Sequence, residues 1–150
     1  MLNVEFSFEA VVEVGPIQEV GTTPKGIRKM IPILGGRVSG PDLEGIILPG
    51  GADWQLIRPD GVAEIEALYT MKTTDGTMIY IVNRGFRHGP REVMAKLADG
   101  EEVSPDRYYF RTTPVFETED GRYGWLNRTL FIGTGQRTPE AVRITFYKVL

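Results

Sequence analysis

Asp-Gly turn signals recur along the chain, as "PDG" at 59–61, "TDG" at 74–76 and "EDG" at 119–121, with extended segments around them. Asp tolerates tight-turn backbone and Gly supplies positive φ at little cost, so Asp-Gly between apolar stretches is a strong hairpin signal. The apolar period of these segments is two. "VEFSFEAVVEV" sets Val4, Phe6 and Phe8 against Glu5, Ser7 and Glu9, and "EIEALYTMKTT" sets Ile65, Ala67, Tyr69 and Met71 against Glu64, Glu66, Leu68 and Thr70. "TMIYIVNRGF", "YYFRTTPVFET", "RTLFIGTG" and "AVRITFYKV" are rich in β-branched and aromatic residues. About nine strands are expected. "GPREVMAKLADG" differs: Pro90 suits a first helical position, Val93, Met94 and Leu97 share a face, and Gly100 is a stop, which predicts one short helix. The expected fold is all-β, an antiparallel barrel closed so that no edge is left unpaired, with a two-sheet sandwich as the alternative.

Composition narrows the function classes. The chain has 150 residues, 41% hydrophobic and 25% charged, as expected of one globular domain over 1–150. Without cysteine there is no disulfide, thiol nucleophile or thiolate metal site. The single histidine, His88, leaves no Ser-His-Asp arrangement and little imidazole metal chemistry, so no metal is expected. No cofactor is expected either: "GTG" at 133–135 lacks a third glycine, and "GGRVSG" lacks the Lys-Ser/Thr of a phosphate loop. A net charge of −3 argues against a nucleic-acid partner. No apolar run approaches the roughly 20 residues that span a bilayer, so no membrane partner is expected. "MLNVEFSFEA" lacks a basic-then-apolar leader pattern, and the expected location is cytoplasmic. The mixed charges would permit a homodimer without requiring one.

Three stretches could carry chemistry. In "GGADWQLIRPDG", Asp53 and Trp54 follow two glycines that let another group approach closely, so Asp53 is a candidate acid or base beside an aromatic wall. The same residues also suit a turn acid and a core tryptophan. In "DRYYFRTTPVFET", period two puts Tyr109, Arg111 and Thr113 on one face. A guanidinium among so many apolar residues needs a carboxylate, from Asp53, Glu66, Glu117 or a ligand. In "GRYGWLNRT", Tyr123, Trp125 and Asn127 alternate and, on a strand, would form an aromatic wall with an amide. Tyr69 completes the expected lining.

Taken together, "GGADW", "RPDGVAEIEALYTMKTTDGTMIYI", "LADGEEVSPDRYYFRT", "YYFRTTPVFET" and "RYGWLNRTLFIGTG" resemble, in order and over nearly the whole chain, the bacterial and fungal family called domain of unknown function 3237. The resemblance implies a single antiparallel β-barrel and little about activity. Three functions follow from the candidate residues. The first is a small-molecule lyase, isomerase or cyclase, with Asp53 or Glu66 as acid–base group, Arg111 as oxyanion clamp, and Trp54, Tyr69, Tyr109, Glu117, Tyr123, Trp125 and Asn127 around a pocket at the barrel mouth. The second is a carrier of a small organic molecule using the same pocket. The third is a filled barrel whose polar residues only join strands.

Overall fold

A computed structural model describes residues 1–150. The strands are β1 (Val4–Val14), β2 (Gln18–Thr23), β3 (Gly26–Ser39), β4 (Gly45–Ile47), β5 (Gly51–Ile57), β6 (Ala63–Thr73), β7 (Met78–His88), β8 (Tyr109–Thr118), β9 (Phe131–Arg137) and β10 (Ala141–Val149), with one helix, α1 (Arg91–Ala98), between β7 and β8. All ten strands belong to one antiparallel sheet, which closes because β1 pairs with both β10 and β3. The barrel has eight strand positions. β2 continues the place of β1 along β3, while β4 and β5 share one place between β3 and β6. The count exceeds the expected nine because β4 is three residues long, too short to show a period.

β3 must bend to serve both halves of the wall, and its sequence shows how. Ile31 and Ile33 are buried on odd positions and Val38 on an even one, so the inward phase changes between them. Gly35 and Gly36 lie at the change with φ of 152° and 143°, and the pairing with β1 slips there. A Cβ on Gly36 would collide with the Val11 carbonyl oxygen, so the bulge depends on glycine.

α1 follows its sequence signals with one shift. Pro90 stands in the capping position, one residue before the helix, and its carbonyl accepts from the Val93 and Met94 N–H groups at 3.0 Å. The interior is divided into two halves. The start of β1, the end of β10, the start of β9 and the end of β8 supply Phe8, Phe146, Phe131 and Phe116, with ring centroids 4.8 Å (Phe8–Phe146) and 4.9 Å (Phe116–Phe131) apart. Edge-on and tilted contacts of this kind make a solid plug. The other half is not filled.

Candidate active site

Where β1 and β9 end and β10 begins, the interior opens into a cavity. Val12, Val14, Ile31, Ile33, Val142 and Ile144 form its apolar wall, and Asp53, Gln55, Tyr69, Asn83, Arg87 and Arg137 project into it. About 50 Å³ is open. That is space for a few waters or the head of a small molecule, well short of the roughly 300 Å³ where drug-sized sites begin.

Period two delivers each polar group. On β5, Asp53 and Gln55 face in and Trp54 faces out. On β7 the buried Ile79 and Ile81 are followed on the same face by Asn83 and Arg87. On β9 the inward series is Phe131, Gly133, Gly135 and Arg137. A Cβ at Gly135 would sit 2.6 Å from the Phe110 ring, so the missing side chain is where that ring lies flat against the wall. Gly51 works similarly: a Cβ there would meet the Leu68 carbonyl and Tyr69 Cβ at 2.5 Å, so glycine lets β5 lie close against β6 beside Tyr69.

The polar groups form a chain. Arg87 Nη2 donates to Gln55 Oε1 at 3.4 Å, and Gln55 Nε2 donates to Asp53 Oδ2 at 3.4 Å. Asp53 Oδ1 accepts the Glu66 backbone N–H at 3.0 Å. Burial raises the Asp53 carboxyl above its ordinary value, against the opposing pull of that N–H, Arg87, Gln55 and Arg137. Burial also pushes Arg87 down to about 10, helped by the like charge of Arg137, and lowers Arg137 too. Four buried side-chain polar atoms lack a hydrogen-bond partner, and three belong to residues that line this cavity: the Tyr69 hydroxyl, Asn83 Oδ1 and Arg87 Nε. The fourth, Thr112 Oγ1, lies against Gly133.

Of the residues singled out from the sequence, the structure brings only Asp53 and Tyr69 to this cavity. Trp54 is 46% exposed on the outer wall. Glu66 also faces out and accepts from Arg84 Nε at 3.4 Å. Tyr109, Arg111 and Glu117 share the exposed face of β8, because Phe110, Thr112 and Phe116 take the inward places. Arg111 needs no carboxylate there: it is exposed, donates to the Phe110 carbonyl at 2.9 Å and lies 5.7 Å from the Tyr109 ring. The expected Asp53–Arg111 pair is absent, and Arg87 and Arg137 are the arginines that face Asp53.

Tyr123, Trp125 and Asn127 are not on a strand. Gly124–Arg128 is a 3-10 turn, so their alternation does not align them on a face. Trp125 packs 6.0 Å from Phe131, six residues or about 20 Å along β9 from Arg137. Tyr123 is buried in the core, away from the cavity lining. Asn127 clamps the end of β8, accepting the Thr118 N–H and donating to the Thr118 carbonyl, both at 2.9 Å. Asn127→Ala is expected to cost roughly 1–2 kcal/mol, read as a lower denaturant midpoint at unchanged m-value. An unchanged midpoint would mean that water replaces the clamp at no cost.

No three His, Cys, Asp or Glu side chains come together as a metal-binding group. No helix is long and apolar enough to cross a membrane. Fold and cavity together define a closed antiparallel β-barrel, aromatic at one end and carrying at the other a site of half-buried Asp53 and Arg137 and buried Arg87. The chain belongs to the family described as a protein of unknown function, DUF3237, which it matches over residues 2–149. It is 42% identical over 149 residues to UPF0311 protein RPA1785 of Rhodopseudomonas palustris, covering 99% of this chain and 97% of that one. The RPA1785 crystal structure superimposes with a TM-score of 0.95, covering 100% of this chain and 98% of the other. A crystal structure of a β-barrel-like protein from Acinetobacter baumannii gives 0.88 at 39% identity, covering 100% and 97%. More distantly, the chain is 23% identical over 147 residues to hydroalkoxylation enzyme phnH of Penicillium herquei, covering 98% of this chain and 83% of that protein.

Proposed function

We propose that the protein is an acid–base catalyst that adds or removes an O–H group across a C=C bond conjugated to a carbonyl, in a small organic substrate held at the polar end of the barrel. The observation that carries this reading is Asp53, a carboxyl raised by burial and facing two guanidinium groups in a largely apolar cavity that also holds Gln55, Tyr69 and Asn83. A carboxyl raised toward working pH can both take and return a proton. In the addition, Asp53 removes the hydroxyl proton as that oxygen bonds to the β-carbon. The C=C π pair moves onto the carbonyl as an enolate, which Arg87 and Arg137 stabilise. The protonated Asp53 then delivers the same proton to the α-carbon, so O–H and π bonds are exchanged for C–O and C–H bonds. Asp53 keeps the role expected from sequence, while Arg87 and Arg137 take the one assigned to Arg111.

The distant relation to a fungal protein named for hydroalkoxylation agrees with this reaction class. A purely structural barrel accounts for the aromatic half of the interior but not for a carboxyl, two guanidiniums and three unpartnered polar atoms in the other half. The test is a small hydroxy-enone that closes to a tetrahydrofuran, followed by NMR in deuterated water. Closure at least roughly 100-fold above background, with deuterium on one face of the α-carbon, is the expected result. Saturable binding with no closure in a panel of such compounds would make the protein a carrier.

A further inference from the structure

The cavity carries unbalanced charge. Arg87 and Arg137 project into it against one carboxyl, so its net charge is positive whether Asp53 is ionised or protonated. Neither arginine belongs to any of the six ion pairs in the molecule. Arg87 is 6% exposed, its single hydrogen bond goes to a neutral amide, its Nε has no partner, and what else meets its charge is the Phe110 ring 5.5 Å away and Asp53, which Arg137 also faces. A guanidinium left in this way is costly to fold around, and a ligand anion removes that cost. The remaining orphans add a pattern to the charge. The Tyr69 hydroxyl, on a side chain 4% exposed, can donate, and Asn83 Oδ1, on one 3% exposed, can only accept. One side of the cavity therefore offers donors to an anion, and Asn83 asks for an O–H or N–H beside it.

We propose that the molecule taken by this site is a small organic monoanion bearing a hydroxyl next to its charged group, the anion seated on Arg87 and Arg137 and the hydroxyl donating to Asn83 Oδ1. The proposal rests on the reading of this cavity as a substrate site and adds the substrate's chemical class. The narrow cavity admits a compact hydroxy-carboxylate or acidic-enol head, and the aliphatic wall of Ile31, Ile33, Val142 and Ile144 accepts a short apolar body. A neutral analogue of the same shape leaves the excess of two guanidiniums over one carboxyl unmatched and binds less tightly.

The probes are two matched pairs, lactate against lactamide and salicylate against salicylamide, titrated calorimetrically into the full chain at neutral pH. Each anion is expected to bind at least tenfold more tightly than its amide. Arg87→Met keeps the bulk of the side chain and is expected to weaken the anions at least tenfold while leaving the amides within about twofold. Arg87→Lys is expected to recover part of the loss, and unchanged circular dichroism shows that the variants fold. The proposal is overturned if neither anion binds saturably, if an amide binds as tightly as its anion, or if Arg87→Met binds the anions like the parent. Arg87-dependent anion binding without hydroxy-enone turnover would retain this site assignment and remove the catalytic one. Turnover of neutral hydroxy-enones that falls with Arg87→Met, with each anion bound no more tightly than its amide, would do the reverse.

Discussion

Replacing Asp53 with Asn is expected to lower turnover roughly 10²–10⁴-fold, the usual contribution of a positioned proton-transfer group, with ligand affinity changed only a few-fold. The amide keeps the size of the carboxyl and can still meet Gln55 and the Glu66 N–H, but it cannot carry a proton between oxygen and carbon. The parent should lose activity as pH falls through the folded pKa of Asp53, because the first step needs the ionised form, and the variant's residual activity should lack that limb. The charged groups facing the carboxyl are Arg87 on β7 and Arg137 on β9, both cationic across this range, so the limb belongs to Asp53. Stability carries the same signature with a definite sign. The carboxyl titrates at 3.8 when unfolded and higher when folded, so between the two values the native state holds a proton that the unfolded state has lost. Stability contributed by the protonated form is fully present below the unfolded value and is lost as pH rises through the folded one. The Tm of Asp53→Asn relative to the parent should therefore climb from about pH 4 upward. A difference that stays flat across that range, together with parental turnover, would remove Asp53 from the mechanism.

Much of the barrel is legible in the sequence because a strand states its own facing. Period two in "EIEALYTMKTT" fixes Tyr69 inward, and it separates Asp53 from Trp54 because neighbours in a strand face opposite ways. The same rule holds for the arginines. In "MIYIVNRGFRH" the inward Ile79 and Ile81 lead to Asn83 and Arg87, and in "FIGTGQR" Phe131 leads through two glycines to Arg137. Arg111 stands out by composition, among aromatics, yet Phe110, Thr112 and Phe116 hold the inward places and leave it outside. What sequence does not state is pairing across the barrel. β5 and β9 are not neighbours, and only closure through β10, β1 and β3 brings Asp53 and Arg137 into one cavity. The "GRYGWLNRT" segment misleads for a local reason: its alternation resembles a strand, but it forms a 3-10 turn closed against Thr118 by Asn127.

The division of the interior predicts opposite costs at its two ends. Phe8 is fully buried and packs on Phe116, Phe131 and Phe146, all held by backbone pairing on strands that cannot easily move inward. Phe8→Ala removes a ring from the centre of that plug and leaves a cavity the neighbours cannot collapse into, at an expected cost of 3–5 kcal/mol. For a chain of this size the cost corresponds to a fall in Tm of roughly 6–20 °C. Arg87→Met should do nothing comparable, because it removes a buried cation held only by one 3.4 Å hydrogen bond to Gln55, the Phe110 ring face at 5.5 Å and the pull of Asp53, and its Tm is expected at or above that of the parent. A large loss from Arg87→Met, matching that from Phe8→Ala, would mean that the arginine holds the barrel together. A stable Arg87→Met beside a crippled Phe8→Ala would instead show that the aromatic end carries the fold, which is the condition under which the polar end can keep charges that weaken it.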